Sequence, residues 1–389
     1  MRERRPTVAH LIDHLQTGGA EAHVAECVRH LRKFRPVVGC LQHRGAAGDL
    51  LVDEGFSVQV FTKGPGFRPA VVGPLRRWLA EEQVDVLHTH LFSAGVWGRW
   101  AAPRPSAPAA APALVVTVHS LGDPRPFKHW LPERLLRRRT ARYVAPSAAV
   151  ARTLATWVPE AQIRHIAHGV DWSRWPEPTA ARRDSARARW GLEGSAPVVG
   201  VVARLEPPKE LALLLDAMAV LWEQAPEARL LVAGGGSLDV SLRARAEALG
   251  GADRVQFLGP VASEVVADVW LAADCGVLPS RHEGFGLAAL EAMGMGVPVV
   301  AIHSSGAEEF VQDGQTGLLV PAGDANGLGA ALGAAISDEA RRRGWAERAR
   351  QRAREDFGIS RMISALEELY AELVADRGGE RHGGGGGMP

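Results

Sequence analysis

The segment EGFGLAALE carries two glutamates, Glu283 and Glu291, on either side of a glycine-rich turn. The turn precedes a predicted helix, and the free backbone N–H groups at a helix N-terminus form a ready site for phosphate. A carboxylate beside such a site makes strong hydrogen bonds to hydroxyl groups. Phosphate together with several hydroxyls describes a sugar nucleotide, so we predict a sugar-nucleotide site here. The alternative is an ordinary helix start with a surface glutamate.

The spacing of the two glutamates predicts different tasks for them. If the helix begins at Gly286, Glu291 lies roughly 7 Å along the axis, at about 1.5 Å per residue, while Glu283 stays in the loop. That separation is too large for an obvious acid/base pair acting on one bond. We therefore interpret the pair as two contacts to the two ends of one ligand.

Two cations and two glycine turns follow other predicted strands. Arg204 and Lys209, in VVARLEPPKE, can clamp a diphosphate, although a solvated charged loop fits as well. Gly18 and Gly19 permit close approach to a phosphate, but they lack the full G-x-G-x-x-G spacing. The glycines at 234–236 lack a following GK[ST], which disfavours an ATPase or kinase, and we interpret them as a tight turn.

Histidines end two predicted strands of the first half. His119 closes TVHS near the expected ligand position, where a buried structural histidine is the alternative. His88 and His90, two residues apart on a strand, share a face and make a metal site conceivable. No third ligand is evident in the sequence, so we favour a structural role for them.

Length and composition exclude several classes of protein. The chain has 389 residues, too many for one ordinary core, which predicts two domains. Its formal net charge of +1 gives no global basic field for nucleic acid. No signal-peptide run and no stretch of roughly 18 apolar residues is present. The three cysteines, Cys27, Cys40 and Cys275, have no spacing typical of a metal site, and we interpret them as small buried residues. Their odd count favours a reducing compartment, so the cytoplasm is the expected location.

Apolar runs alternate with helical patterns along both halves of the chain, which predicts two doubly wound parallel sheets in an α/β fold. A Pro-, Arg- and Ala-rich linker near 176–196 separates them. Ligands of such folds bind beyond the carboxyl ends of the strands, so a cleft between the sheets is expected to hold the site. The predicted strands are 7–13, 37–42, 58–61, 84–90, 113–120, 143–147 and 163–170, then 197–204, 228–236, 254–259, 275–280 and 298–304, and the predicted helices include 22–34, 211–224, 242–250, 287–295 and 363–376.

Taken together, the motifs resemble glycosyltransferase family 4 over about residues 8–325. They are GGAE, TVHS, APS, HGVD, ARLEPPK, GGG, FLG, LPSRHEGFGLAALEAMGMGVPVV and DGQTGLLV, in that order. The resemblance implies a GT-B fold, in which two Rossmann-like domains face each other across a cleft. It also implies retaining transfer of a sugar from a nucleotide sugar, with no cofactor and usually no metal.

The domain organisation implied by the resemblance has four parts. Residues 1–180 would form an N-terminal acceptor-side domain, and residues 190–358 a C-terminal nucleotide-sugar-binding domain. A helix at about 360–376 would cross back onto the first domain, which explains its amphipathic pattern. Residues 377–389 are Gly-rich and are expected to be disordered.

The same resemblance implies roles for the site residues. Glu283 would contact sugar hydroxyls, and Glu291 would hold the ribose hydroxyls. Phe285, Gly286 and Leu287 would offer backbone N–H groups, and Arg204 and Lys209 would neutralise the diphosphate. Gly18 and Gly19 would approach the phosphate from the first domain. His119 would lie near the transferred sugar. Thus His119, Glu283, Arg204 and Lys209 are the expected catalytic set.

Three positions depart from the usual pattern of the family. HGVD, with His168, replaces the commoner NGVD, and Glu210 follows Lys209 where glycine is usual. SGAEE, with Ser305 and Glu308, stands where a Gly-Gly-x-Pro-Glu pattern is frequent. Ser305 and Glu308 are expected to alter the sugar pocket or only the loop shape. These departures leave the donor class open, but not the fold.

The expected function is transfer of a hexosyl group, from a donor that is UDP-linked, to a hydroxyl of a small soluble acceptor. A weak resemblance to aminoglycoside-type enzymes of antibiotic biosynthesis favours an aminocyclitol, and Asp13, His14 and Asp123 are acceptor-side candidates by position. One alternative is a lipid-linked or cell-envelope acceptor, with the basic segment 134–142 touching a membrane. Others are a GT-B sugar-nucleotide epimerase and a non-catalytic nucleotide-sugar-binding scaffold.

Overall fold

A computed structural model describes residues 4–16, 18–103, 111–120, 127–192, 194, 196–303 and 306–382. The chain divides into two compact units. Unit 1 comprises Met1–Gly169 together with Ile359–Pro389, and unit 2 comprises Val170–Gly358. Each unit contains one parallel sheet with flanking helices, as the alternating sequence pattern predicts.

The sheet of unit 1 has seven parallel strands in the order β3-β2-β1-β4-β5-β6-β7. They are β1 (Thr7–His14), β2 (Arg35–His43), β3 (Val58–Val60), β4 (Val84–His90), β5 (Ala113–Thr117), β6 (Arg142–Ala145) and β7 (Ile163–His165). The strand order reverses between β1 and β4. Ligands of doubly wound sheets bind at such a reversal, beyond the carboxyl ends of the strands.

Six helices follow in the same part of the chain: α1 (Gly19–His30), α2 (Gly45–Asp53), α3 (Val72–Glu81), α4 (Phe92–Ala101), α5 (Phe127–Leu136) and α6 (Ala148–Ala155). Helix α1 is shorter at its C-terminus than the predicted range 22–34. Leu31 adopts an extended conformation there and ends the helix.

The sheet of unit 2 has six parallel strands in the order β10-β9-β8-β11-β12-β13. They are β8 (Val198–Val202), β9 (Arg229–Ala233), β10 (Val255–Gly259), β11 (Cys275–Leu278), β12 (Val299–Ile302) and β13 (Gly317–Val320). The sequence pattern did not predict β13, whose four residues pair with β12 at the sheet edge. The reversal of strand order lies between β8 and β11.

The helices of unit 2 are α7 (Ala180–Arg189), α8 (Leu211–Gln224), α9 (Asp239–Ala248), α10 (Ser263–Ala272), α11 (Leu287–Gly294), α12 (Ala325–Ser337) and α13 (Glu339–Asp356), and the chain ends in α14 (Ile359–His382) in unit 1. Helix α8 has the predicted bounds, because its apolar residues recur at helical spacing throughout. Among the described residues, no helix combines the length and apolar character needed to cross a membrane.

Helix α14 packs its apolar residues against the sheet of unit 1. Leu366, Leu369, Tyr370 and Leu373 belong to one buried cluster with residues of β1, β4 and β5. Beside them, the buried carboxylate of Glu367 accepts hydrogen bonds from the backbone N–H groups of Arg32 and Lys33, at 2.7 and 2.6 Å. The helix continues to His382, six residues into the range expected to be disordered, and 383–389 lie outside the described residues.

Candidate functional site

In unit 2, the ammonium of Lys209 donates a hydrogen bond of 2.5 Å to Oε2 of Glu283. Lys209 ends a single 3-10 turn after β8, and Glu283 lies in the loop after β11. Since β8 and β11 are neighbours at the reversal of strand order, the fold brings two residues 74 positions apart into contact. The contact joins the cation predicted for the diphosphate to the carboxylate predicted for the sugar.

Glu210, at the position where the family usually has glycine, adopts a left-handed conformation with φ 48° and ψ 37°. Non-glycine residues rarely adopt this conformation, because Cβ approaches the following carbonyl. The carboxylate of Glu210 lies 3.3 Å from Nε of Arg281, which follows β11. The loop that carries Lys209 is thus joined by two ion pairs to the loop that carries Glu283.

The turn after Glu283 is held by close backbone packing. Gly286 has φ 98°, and a Cβ there would lie 2.8 Å from Leu278. The N–H of Gly306 donates to the carbonyl of Glu283 at 2.7 Å, and a Cβ on Gly306 would overlap the backbone of Phe285. The buried ring of Phe285 packs against Phe310 at a centroid distance of 5.3 Å. This packing fixes the backbone that precedes α11.

Helix α11 begins at Leu287, so Glu291 is its fifth residue, in the second turn. Burial raises the pKa of the Glu291 carboxyl to about 8. A carboxyl with this pKa is mostly protonated at neutral pH and can release its proton when hydroxyl donors approach it. Phe285, Gly286 and Leu287 lie at the start of this helix, where backbone N–H groups have no intrahelical acceptor.

The guanidinium of Arg204 is exposed on the loop after β8, and within the described parts of the chain it makes no hydrogen bond or ion pair, although its charge acts on the neighbouring Glu206. The neighbouring Glu206 accepts two hydrogen bonds from Ser237, one from the backbone N–H and one from Oγ. A Cβ on Gly234 or Gly236 would overlap the carbonyls of Ala203 and Leu205. The glycines at 234–236 therefore allow close packing on the loop of Arg204, and the turn predicted for them lies just after them, at 237–238.

In unit 1, Gly18 precedes α1 in extended conformation and Gly19 is the first residue of the helix. A side chain on Gly18 would overlap the carboxylate of Glu21, which is buried and lies 3.4 Å from Nδ1 of His14. A negative charge thus already lies against this helix N-terminus. The phosphate contact predicted for Gly18 and Gly19 stays a prediction, and it requires Glu21 to turn away or to be neutralised.

His119 lies at the end of a line of hydrogen-bonded histidines. Its Nε2 is 3.0 Å from Nδ1 of His90, and Nε2 of His90 is 3.0 Å from Nδ1 of His10. His10 and His90 are fully buried, whereas His119 is partly exposed. Burial lowers the pKa of all three imidazoles, that of His10 to about 3. The three rings are therefore neutral at physiological pH.

Three further buried histidines surround this line. His88 contacts the hydroxyls of Tyr370 and Thr117, each at 2.6 Å. The ring of His168 lies 4.3 Å from that of His23 and 5.3 Å from that of His119. The departure from the family pattern at HGVD thus adds one more ring beside His119. Sequence reasoning missed His10 and His23 and named His168 only as a departure from the family pattern, although histidines in or just after several strands and near the start of a helix were the available signal.

The structure supplies a third partner for His88 and His90. One ring nitrogen each from His10, His88 and His90 lies within 4.8 Å of the others, a group that could hold a metal ion. Hydrogen bonds already use both nitrogens of His88 and both of His90. We therefore assign these rings to the hydrogen-bond network and no metal to them.

The acceptor-side candidates have different surroundings. Asp13 is partly buried at the end of β1, its carboxylate accepts a hydrogen bond from Ser93, and burial raises its pKa. Its Oδ1 has no hydrogen-bond partner among the described residues. His14 stacks on His43 at 5.1 Å. Asp123 and Ser305 lie outside the described residues.

Three other predicted features have definite positions. In the basic segment 134–142, Arg137 donates to the carbonyl of Trp157, and Arg139 to those of Ala102 and Pro103. Glu308 lies 3.4 Å from His303 in unit 2. The three cysteines are free and buried, as predicted, and burial raises the pKa of their thiols.

Comparison with protein families and curated proteins gives consistent results. A model described as glycosyl transferases group 1 matches residues 182–352, and one described as glycosyltransferase family 4 matches residues 17–174. The D-inositol 3-phosphate glycosyltransferase of Nocardia farcinica is 32% identical over 329 residues, 78% of this chain and 70% of that protein. The enzyme of the same name from Corynebacterium urealyticum is 36% identical, over 58% of this chain and 55% of its own length.

Solved structures resemble nearly the whole chain. The Anabaena protein HepE, crystallised with UDP and glucose, is 24% identical and aligns with a TM-score of 0.82 over 94% of this chain and 99% of that one. Sucrose-phosphate synthase from Thermosynechococcus elongatus is also 24% identical, with a TM-score of 0.81 over 95% and 100% of the two chains. At these identities the likeness shows a shared fold.

Proposed function

The chain belongs to glycosyltransferase family 4 and has the GT-B fold, and on that premise we propose a specific reaction for it. A hexosyl group passes from a UDP-linked donor, with retention of configuration, to a hydroxyl of a small soluble cyclitol. An aminocyclitol of a natural product is the acceptor we favour. The reaction uses no cofactor and no bound metal.

The ion pair of Lys209 and Glu283 is the observation that carries this proposal. In the free protein the Glu283 carboxylate neutralises the Lys209 ammonium at 2.5 Å. A nucleotide sugar offers a replacement for each partner, since its diphosphate binds the cation and its hydroxyls donate to the carboxylate. Two loops fixed by packing and by the Glu210–Arg281 pair hold both groups ready for this exchange.

The same residues account for stabilisation of the leaving group. Cleavage of the sugar–phosphate bond leaves additional negative charge on the nucleotide diphosphate. Lys209, the exposed Arg204 and the N-terminus of α11 supply positive charge to oppose it. In the retaining mechanism we propose, the leaving phosphate accepts the proton of the acceptor hydroxyl, so no protein side chain acts as base.

The choice of UDP rests on resemblance, and Glu291 accounts for the ribose that every nucleotide donor carries. HepE, of the same fold, was crystallised with UDP and glucose. In this chain Glu291 presents a carboxyl whose pKa is about 8, suited to a pair of ribose hydroxyls that favour its ionised form. His119 is proposed to contact the transferred sugar from unit 1.

The choice of a cyclitol rests on the relatives and on charges in unit 1. The curated relatives are named for D-inositol 3-phosphate, a phosphorylated cyclitol. Near the end of β1 this chain presents Asp13 and Glu21, while the ammonium of Lys63 is bound to the carbonyls of Gly64 and Gly66. Because Lys63 is already bound to these carbonyls, the nearby carboxylates would repel a phosphate group. They therefore favour an uncharged or amino-bearing cyclitol over a phosphorylated one.

An acceptor screen with several UDP- and GDP-sugars, read by mass spectrometry, tests the proposal. We expect a hexosyl adduct with a UDP donor and an inositol or aminocyclitol, and an anomeric configuration by NMR that matches the donor. EDTA should leave the rate unchanged. Conversion of donor without acceptor would identify an epimerase, and binding of donor without transfer to any acceptor would identify a scaffold. Preference for inositol phosphate would overturn the argument from Asp13.

A further inference from the structure

The buried line of His10, His90 and His119 has a direction that the structure determines. Two neutral imidazole nitrogens 3.0 Å apart must share one proton, so one ring donates and the other accepts. Because each neutral ring carries one N–H, the two hydrogen bonds of His90 must run the same way along the line. Only two proton arrangements are therefore compatible with the geometry.

In the first arrangement, Nδ1–H of His10 donates to Nε2 of His90, and Nδ1–H of His90 donates to Nε2 of His119. His119 then carries its own proton on Nδ1. In the second arrangement every bond is reversed, so His10 carries a proton on Nε2 and His119 has a bare lone pair on Nδ1.

The buried end of the line distinguishes the two arrangements. Nε2 of His10 is buried and has no hydrogen-bond partner among the described residues. The second arrangement would leave an N–H donor there, and buried N–H groups without an acceptor are among the rarest defects in folded proteins. The first arrangement leaves only a lone pair there, so it is the arrangement that the fold favours.

We propose that His10 and His90 are positioning residues that hold His119 as the neutral Nδ1–H tautomer, so that His119 presents a hydrogen-bond donor and not a base. Nδ1 of His119 makes no hydrogen bond to the rest of the described chain, and the residue is partly exposed, so this N–H is available to an oxygen of the substrate. The catalytic use of that donor rests on the proposed function, whereas the tautomer does not.

The strand register explains how the line is built. His10 on β1 is directly paired with His88 on β4, and His90 lies two residues further along β4 on the same face. Thr117 of β5, which is paired with His90 in the sheet, forms a hydrogen bond with Nε2 of His88, so that this nitrogen is not part of the line. Tyr370 of α14 occupies the other nitrogen of His88. Both nitrogens of His88 are thus occupied outside the line, so removal of its contact with Tyr370 serves as a matched control.

The first test is spectroscopic and requires no substrate. Protein labelled with ¹⁵N at histidine is examined by two-bond ¹H–¹⁵N correlation, and His119 is assigned by comparison with His119→Ala. We expect His119 to show the pattern of the Nδ1–H tautomer alone. In His90→Leu we expect a mixture of both tautomers. An Nε2–H pattern for His119 in the wild-type protein would overturn the proposal. Stoichiometric metal in the purified protein, by mass spectrometry of the metal content, would overturn it too.

The second test is kinetic and uses the shapes of amide side chains. The Asn amide nitrogen occupies roughly the place of imidazole Nδ1, and that of Gln the place of Nε2. We expect His90→Asn to retain most of kcat, because it can still donate to His119, while His90→Gln and His90→Leu lose about tenfold in kcat at similar donor KM. Tyr370→Phe should lower stability and leave kcat unchanged. A higher kcat for His90→Gln than for His90→Asn would contradict the proposal. An inactive wild-type protein with the expected spectrum would contradict only the proposed function.

Discussion

The ammonium of Lys209 lies 2.5 Å from the carboxylate of Glu283, although the two residues belong to loops after different strands of unit 2. This contact has a direct consequence for activity. Lys209→Ala removes the cation that opposes charge on the leaving diphosphate, and we expect kcat to fall by about 10²–10³-fold. Arg343→Ala, which removes an exposed cation on α13, serves as control and should have no effect. Unchanged turnover of Lys209→Ala at saturating donor would refute the assigned role.

Glu283→Gln tests the second half of the same contact. The amide keeps the shape but cannot neutralise Lys209, so the free cation should bind the anionic diphosphate more readily. We expect the affinity for UDP to stay the same or increase, while transfer falls because the sugar loses a charged acceptor for its hydroxyls. Calorimetry with UDP and steady-state kinetics separate the two effects. A parallel loss of UDP affinity would show that Glu283 contacts the nucleotide and not the sugar.

Glu291 should make nucleotide affinity depend on pH. Its carboxyl has a pKa raised to about 8, so it is protonated in most molecules below that pH, and ribose hydroxyls donate best to the ionised form. UDP affinity should therefore rise between pH 6.5 and 8.5, by at most about tenfold per pH unit. Glu291→Gln is the matched control, because it removes the titrating carboxyl of the protein while the diphosphate of UDP still titrates. Identical pH profiles for both proteins would exclude Glu291 from the nucleotide site.

The left-handed conformation of Glu210 predicts an unusual response to glycine. Glu210→Ala loses the pair with Arg281 and keeps the strain, whereas Glu210→Gly loses the pair and relieves the strain. Relief of about 1–2 kcal/mol is partly offset by the greater freedom of glycine in the unfolded chain. We expect Glu210→Gly to be about 1 kcal/mol more stable than Glu210→Ala in chemical denaturation of unit 2. Equal stabilities would show that the strain is absent in solution.

The buried histidines should make unit 1 sensitive to acid. The pKa values of His10 and His23 are lowered to about 3 and about 4, so the folded state resists protonation that the unfolded state accepts near pH 6.5. Stability is therefore present above pH 6.5 and is lost as the pH falls towards 4, at about 1.4 kcal/mol per pH unit for each histidine. His10→Leu should flatten the fall of Tm over this range. His303→Leu, at an exposed position, should leave it unchanged.

Glu367 provides a test of how α14 is attached to unit 1. Its buried carboxylate receives two backbone N–H groups at the end of α1. Glu367→Ala leaves both donors without that acceptor and should cost about 2 kcal/mol of stability. Glu368→Ala, the exposed neighbour on the same helix, should be neutral. Hydrogen exchange at Arg32 and Lys33 would locate the change, and protection equal to wild type would contradict the assigned contact.

The sequence by itself determined the fold class and most of the strands, because buried parallel strands leave short apolar runs and their helices leave a 3.6-residue period. Helix α8 and strand β4 appear with the predicted bounds for this reason. The motifs around Glu283 were sufficient to place the chain in its family. They were also sufficient to name Lys209 and Arg204, since cations after a strand are a local signal.

Other features depended on contacts between distant segments, and only the tertiary structure decided them. Helix α1 ends at His30 where Leu31 turns extended, and Glu367, over 300 residues away, then binds the N–H groups that follow. Strand β13 needed β12 beside it. The line from His10 through His90 to His119 joins two strands of one sheet and the segment that follows a third, and its direction depends on a buried nitrogen without a partner among the described residues. No local pattern encodes such a line, because hydrogen-bond direction is a property of the packed core as a whole.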